Sequence, residues 1–429
     1  MRKSRSLALF AGFALLCGIA TAIFMAVRGQ MEPVEGAMQP GGYQARTGSR
    51  FLPLPENPFQ APQVRELGVP QFADATSVWG ATGRDSRGKI WIGVSASSPG
   101  MSARLLRYDP EADTWRDAGA VVEKLKAAGR YREGEGQIKI HSRIVPADDG
   151  WLYFASTDEE GESDVTLVPP RWGGHLWRIN PRDFQWQHVL AVPEALVAAS
   201  GSGRYVYALA YWGHVLYQYD VSGGPTRRVV VGSVDGHASR NFLTDASGHA
   251  YVPRLSMQPA GKVLAELVEY DSDLRELAST PLDFYFGKTS LELNHGIVGL
   301  AYLVDGRMVF TTDRGQLYLI EPKRDSHAVV KAIGWFHPDG EAYAPSLFSF
   351  DGKSLLAGVT QRGGRHEWVV FDLATRISGA FPLDTKDLRK VLLYGSISRD
   401  DAGRFYVAGW ASGASGGLRP LMLQITAPP

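Results

Sequence analysis

The chain of 429 residues has one cysteine, Cys17, so it cannot build an internal disulfide framework. It has no net charge either: 45 basic residues balance 45 acidic ones, which leaves no electrostatic footprint for nucleic acid. No H-x-H or H-E-x-x-H spacing marks a metal site, and the Gly-rich stretch 412–417 has no following helix, which argues against a phosphate loop. What the chain has in quantity is Gly (48), Trp (11), Tyr (17) and Phe (18). That is the usage of many short strands joined by tight turns rather than of a helical protein.

At the N-terminus Arg2, Lys3 and Arg5 precede an uncharged run from Leu7 to Val27, closed by Arg28. The run is long for a cleaved signal and about right for one membrane-spanning helix, while Ala20-Thr21-Ala22 offers a cleavage site. Leu15-Leu16-Cys17 matches a lipoprotein box only loosely, because Leu16 is large. Residues 1–28 are therefore expected to be a signal anchor or signal peptide, 29–62 a flexible Gly-, Pro- and Gln-rich linker, and 63–429 the folded body. Positive charge ahead of the apolar run directs that body outward, to the periplasm or the cell exterior, with residues 7–27 as the membrane anchor if they are retained.

One hairpin pattern recurs along the body. Gln137–Thr157 shows it: an alternating run, a turn at Asp149-Gly150, then a second apolar and aromatic run. Turn glycines Gly88, Gly150, Gly203, Gly248, Gly306, Gly352 and Gly403 each precede such a run, at spacings of 62, 53, 45, 58, 46 and 51 residues. A third strand ending in an acidic turn follows most of them, as in L-L-R-Y-D-P (105–110), and then a fourth, as at Thr114–Asp117. Periods of this size with four-strand content predict an all-β fold, a seven-bladed β-propeller behind an N-terminal transmembrane or signal helix. The last copy stops after its third strand, and residues 63–68 look like the missing fourth. They are expected to complete blade seven and close the ring. Residues 118–130 are expected to hold a short surface helix, and 158–174 a long acidic, then Pro-rich, loop.

Innermost propeller strands line a central channel, so counting back from each turn glycine places residues of different blades at one depth. Nine to twelve residues before the glycine lie Lys139 and His141, Glu194, His237 and Ser239, Asn294, His295 and Ile297, Tyr343 and Tyr394, with Trp79 in blade one and Arg240 a step deeper. Loops expected on the same face add His175, Tyr211, Trp212, His214, Arg254, Asp313, Arg314, Gln361 and Arg362. Five of the ten histidines fall at this mouth. His188, His249, His327, His337 and His366 fall on outer strands, turns or loops and read as structural.

Imidazole, phenol and guanidinium together suit removal of a proton beside a carboxylate: the cation neutralises the carboxylate, a neutral base takes the proton, and an acid protonates the leaving oxygen. The same set also suits an anionic ligand bound without reaction. Four imidazoles, His141, His175, His237 and His295, would suit a divalent transition metal if they met across the channel, although no metal ligand set or cofactor is expected from the spacing. Carboxylate-pair hydrolysis is disfavoured, since the count places only Glu194 and Asp313 there.

The strand K-I-H-S (139–142) with D-G-W-L-Y-F (149–154), the strand G-G-H-L-W (173–177) and the strand Y-V-P-R (251–254) resemble the seven-bladed propeller polysaccharide lyases of the ulvan lyase type. That resemblance implies elimination across uronic acid residues. His141 is then the base or acid, Arg254 the neutralising cation, His175 a looser match, and the catalytic tyrosine one of Tyr211, Tyr343 and Tyr394. Lys139, His237, Arg240, Asn294, His295, Trp212 and Arg314 would bind substrate. The stretch 293–306 is similar to an Asn–Gly metal-ligand strand of lactonase-type propellers, and streptogramin lyase propellers share the His-rich mouth. The expected activity is β-elimination on an acidic, uronate-containing polysaccharide. The alternative is a non-catalytic propeller binding a glycan or a partner protein in the cell envelope.

Overall fold

Seven antiparallel sheets form, one for each copy of the repeat, and six of them grow outward from an innermost strand in chain order, while the seventh takes its outermost strand from the start of the folded body. A computed structural model describes residues 57–98, 100–162, 168–211, 214–234, 239–286, 295–323, 326–385, 390–413 and 416–427. The expected anchor or signal segment, and most of the linker, lie outside those residues. Among the described residues no helix is long and apolar enough to cross a membrane. The surface helix is present but shorter than expected, Val121–Ala127, with Val121, Val122 and Leu125 turned inward.

All seven turn glycines have φ between 75° and 90°, the left-handed region in which a Cβ is strained. That explains why glycine, and not merely a polar residue, marks the period. In blades one, four and seven an aspartate three residues earlier finishes the turn. The first carboxylate oxygen of Asp85, Asp245 and Asp400 accepts the backbone N–H groups two and four residues on, at 2.8–3.0 Å. The second oxygen accepts a polar hydrogen from an aromatic residue in the next strand: Trp91 Nε1 at 3.0 Å, Tyr251 Oη at 2.8 Å and Tyr406 Oη at 2.6 Å. The three aspartates are buried, and these bonds offset the cost of withdrawing the charge from water.

Burial falls from the second strand outward. Ile90–Ala96, Leu152–Thr157 and Met308–Thr312 are buried at every position, whereas outer strands such as Arg227–Val230 are mostly exposed. The largest fully buried side chains include Trp91, Trp177 and Trp368, whose rings fill the space between sheets. Adjacent blades pack closely enough that a Cβ on Gly83 would lie 2.2 Å from the Ile144 carbonyl oxygen of the next blade.

The ring closes as expected. Gln63–Leu67 pairs antiparallel with Leu418–Thr426, running from Gln63 opposite Thr426 to Leu67 opposite Met422. Arg65 fixes this register with bonds to Asp113 (2.8 Å) and Tyr108 (2.9 Å) of blade one and to Gln424 (3.2 Å) of blade seven.

Replacing the turn carboxylate tests this account. Asp400→Ala is expected to lower stability by about 3 kcal/mol, because it leaves the Tyr406 hydroxyl and two backbone N–H groups short of a buried acceptor. Tyr406→Phe, which removes the bond to Asp400 and the one that the hydroxyl accepts from Gln424 Nε2 at 3.0 Å but leaves the turn N–H groups satisfied, should cost less, about 1–2 kcal/mol. Urea unfolding followed by tryptophan fluorescence measures both, and equal costs would refute the assigned role of the aspartate.

Candidate functional site

The inner strands converge on one mouth. Lys139 stands at the start of the split inner strand of blade two, Tyr343 opens that of blade six, Tyr394 is the third residue of that of blade seven, and His141 and His295 lie beside theirs. Two cavities open here. One, of about 290 Å³, is lined by Trp79, Lys139, His141, Glu159, Tyr211 and Arg240 among others. The second, of about 610 Å³, includes Asp313, Arg314, Tyr343 and Tyr394. His295 lines both.

Short contacts knit the set together. Lys139 Nζ lies 5.2 Å from the Trp79 ring centre, Trp79 and Tyr394 rings are 5.0 Å apart, and the Arg240 guanidinium sits 4.7 Å from the Tyr394 ring. The Arg240 backbone N–H donates to the His295 carbonyl at 2.9 Å, and His295 Nδ1 shares a 2.8 Å hydrogen bond with the Tyr343 hydroxyl. His141 Nδ1 lies 2.9 Å from the Val197 carbonyl oxygen. A carbonyl only accepts, so Nδ1 carries the proton and the lone pair resides on Nε2.

Electrostatics distinguish these groups. Burial, then the positive charges of Arg240 and Lys139, push the His141 imidazolium down to about 3, so this ring is neutral at ordinary pH. Burial raises the Tyr343 and Tyr394 phenols, with Arg240 opposing the rise at both. Lys139 pairs with Glu159, and Arg314 with Glu341. Of the expected cations Lys139, Arg240, Arg254 and Arg314, Arg240 alone among the described residues has no carboxylate partner.

The remaining expectations divide. Tyr211 is at the mouth. Trp212, His237 and Asn294 lie outside the described residues. His175 and Arg254 are not brought to the mouth. Gly174 already begins the third strand, so His175 is a ladder residue rather than a loop residue. It is 3% exposed and bonds Glu135 at 3.0 Å through Nε2 and His188 at 2.9 Å through Nδ1. Arg254 lies within the eight-residue strand Ala250–Met257 and forks onto Glu276 of the outer strand at 2.8 and 3.1 Å. Glu194 accepts the Tyr217 hydroxyl, and His214 is buried. Sequence reasoning did not single out Glu159 and Glu162, which line the smaller cavity; the acidic loop that carries them was the available signal. No group of three or more metal-ligating side chains is gathered among the described residues.

Three imidazoles bear on acid stability. His141 is held down to about 3, and His188 and His366 to about 4, burial being the first cause in each. Each folded value lies below the ordinary 6.5, so the stability it supports is complete above pH 6.5 and is lost as pH falls toward the folded value. Between pH 7 and 4 the urea midpoint is expected to fall, and His366→Gln should remove part of that slope, on the order of 2–3 kcal/mol. An unchanged slope would show that His366 is protonated equally well in both states.

No family model matches the chain, and no curated protein matches it. Among solved structures it is similar to the β-propeller domain of Cps50 (Swd1) from Myceliophteria thermophila, at 12% identity over 86% of this chain and all of that one, with a TM-score of 0.51. It is also similar to a fungal alcohol oxidase of the AA5 family in complex with copper, at 10% identity over 87% of this chain and 77% of that one, with a TM-score of 0.52. At such identities the likeness is one of fold: the chain is an all-β, seven-bladed β-propeller with one short α-helix among the described residues.

Proposed function

We propose that the mouth binds an acidic, uronate-containing polysaccharide and cleaves it by β-elimination outside the cytoplasm, with Arg240 in the role that sequence resemblance gave to Arg254. The observation that carries this reading is the unmatched charge of Arg240. It lines the smaller cavity of the mouth, beside a neutral imidazole and a phenol, and a substrate carboxylate would complete it. Neutralising that carboxylate lowers the cost of the enolate formed when the adjacent carbon loses its proton. His141 Nε2 is the base, oriented by the bond of Nδ1 to Val197. A substrate carboxylate on Arg240 would cancel part of the field that holds this imidazole at low basicity. Tyr394, in contact with Arg240, is the acid that protonates the departing glycosidic oxygen as the carbon–oxygen bond breaks and the ring double bond forms. Aromatic rings at Trp79 and Tyr211 offer apolar faces for sugar rings.

The double bond, conjugated with the carboxylate, absorbs in the short-wavelength ultraviolet, and its appearance during incubation with a panel of acidic glycans is the assay. His141→Ala is expected to lower kcat at least ~100-fold with the thermal transition nearly unchanged, and Arg240→Ala to lower kcat/KM by at least as much. Arg240-dependent binding without absorbance would assign the mouth to recognition alone. Neither binding nor absorbance with any acidic glycan would refute the proposal.

A further inference from the structure

Farther along the inner strands than the mouth lies a third cavity of about 20 Å³, room for one water-sized or monatomic species. Arg143 and Arg240 line it, with Trp79, His141, Tyr343 and Tyr394, and none of its lining residues is an aspartate or glutamate. Among the described residues Arg240 Nη1 and Trp79 Nε1 are buried there without a hydrogen-bond partner, and both groups can only donate. The Tyr394 phenol also has a proton to offer, since burial keeps it in the neutral form. Donors and positive charge thus predominate on this wall, with the His141 Nε2 lone pair and the Asn241 amide oxygen as its side-chain acceptors. Water accepts two hydrogen bonds and brings no charge, whereas a spherical anion accepts from every side and cancels the field of the guanidinium groups.

The geometry points to a binding site for a monovalent, monatomic anion of the halide class in the channel, held by Arg143, Arg240 and the Trp79 indole. The site does not depend on elimination at the mouth, although the two share Arg240. A halide here would hold the Arg240 guanidinium in place between turnovers, and a carboxylate arriving from the mouth would compete with it for that charge.

Diffraction from crystals grown in bromide, recorded at the bromine edge, decides the matter for the whole protein. An anomalous peak in this cavity is expected. No peak, or peaks only at the surface and between lattice neighbours, would mean an adventitious ion only and overturn the assignment. Thermal unfolding at constant ionic strength, with chloride replacing methanesulfonate, should show a saturable rise of a few degrees. The chloride concentration at half-effect should increase at least ~10-fold in Arg240→Gln and in Trp79→Phe. Should either variant fail to fold, the bromide peak in the parent protein still settles the question, and neither measurement requires a substrate.

Discussion

The ladder between Gln63–Leu67 and Leu418–Thr426 turns a row of seven sheets, which would end in two open edges, into a ring with a defined axis. Everything at the mouth depends on that axis. Lys139 and Tyr394 are 255 residues apart in sequence, yet the Trp79 ring touches both, because blades one, two and seven are held as neighbours by the closure. Arg65 adds a polar lock across the same seam, where it binds side chains from both the first and the last blade. An unpaired strand at Leu418–Thr426 would expose a row of backbone donors and acceptors and remove the constraint on blade spacing.

Much of this was legible in the sequence because the turn glycine is a hard stereochemical requirement. A residue forced to φ near 80° recurs as glycine, and its position fixes the register of the strand before it. Counting back along those strands located Lys139, His141, His295, Tyr343, Tyr394, Arg240 and Trp79. The counting failed where strand length, rather than register, decided the outcome. His175 and Arg254 were assigned to loops, but the strands that contain them start earlier or run longer than the turn residues reveal, so both side chains answer to carboxylates within their own blades. Glu135 is a partner of that kind. It is fully buried in the segment leading into blade two, and nothing local in the sequence marks it as the acceptor for His175.

The propeller uses its ionisable groups in two contrasting ways. At the periphery, cations face carboxylates of neighbouring strands and turns, as Lys331 does Glu321 and Arg227 does Asp273, in water-exposed pairs that contribute little individually. Near the channel the pairing thins out. Arg240 faces an aromatic ring and the neutral His141 imidazole, and the same positive field that keeps His141 unprotonated would draw in anything negative. Preorganised positive potential in a confined space is costly to assemble, and the stiff blades supply the scaffold for it.

The seam also bears on how the chain acquires its shape during synthesis. Arg65 and Gln424, which meet across it, are separated by 359 residues. Bringing such distant points together carries a loop-closure cost of about 5 kcal/mol from the length term alone. Six sheets can assemble from contiguous segments as they leave the ribosome, but the strand at residue 63 must wait, unmatched, until its partner Leu418–Thr426 has been translated. The final annealing of one end to the other is then the slowest event in maturation, and the interval before it is when the nascent molecule most needs protection from its neighbours.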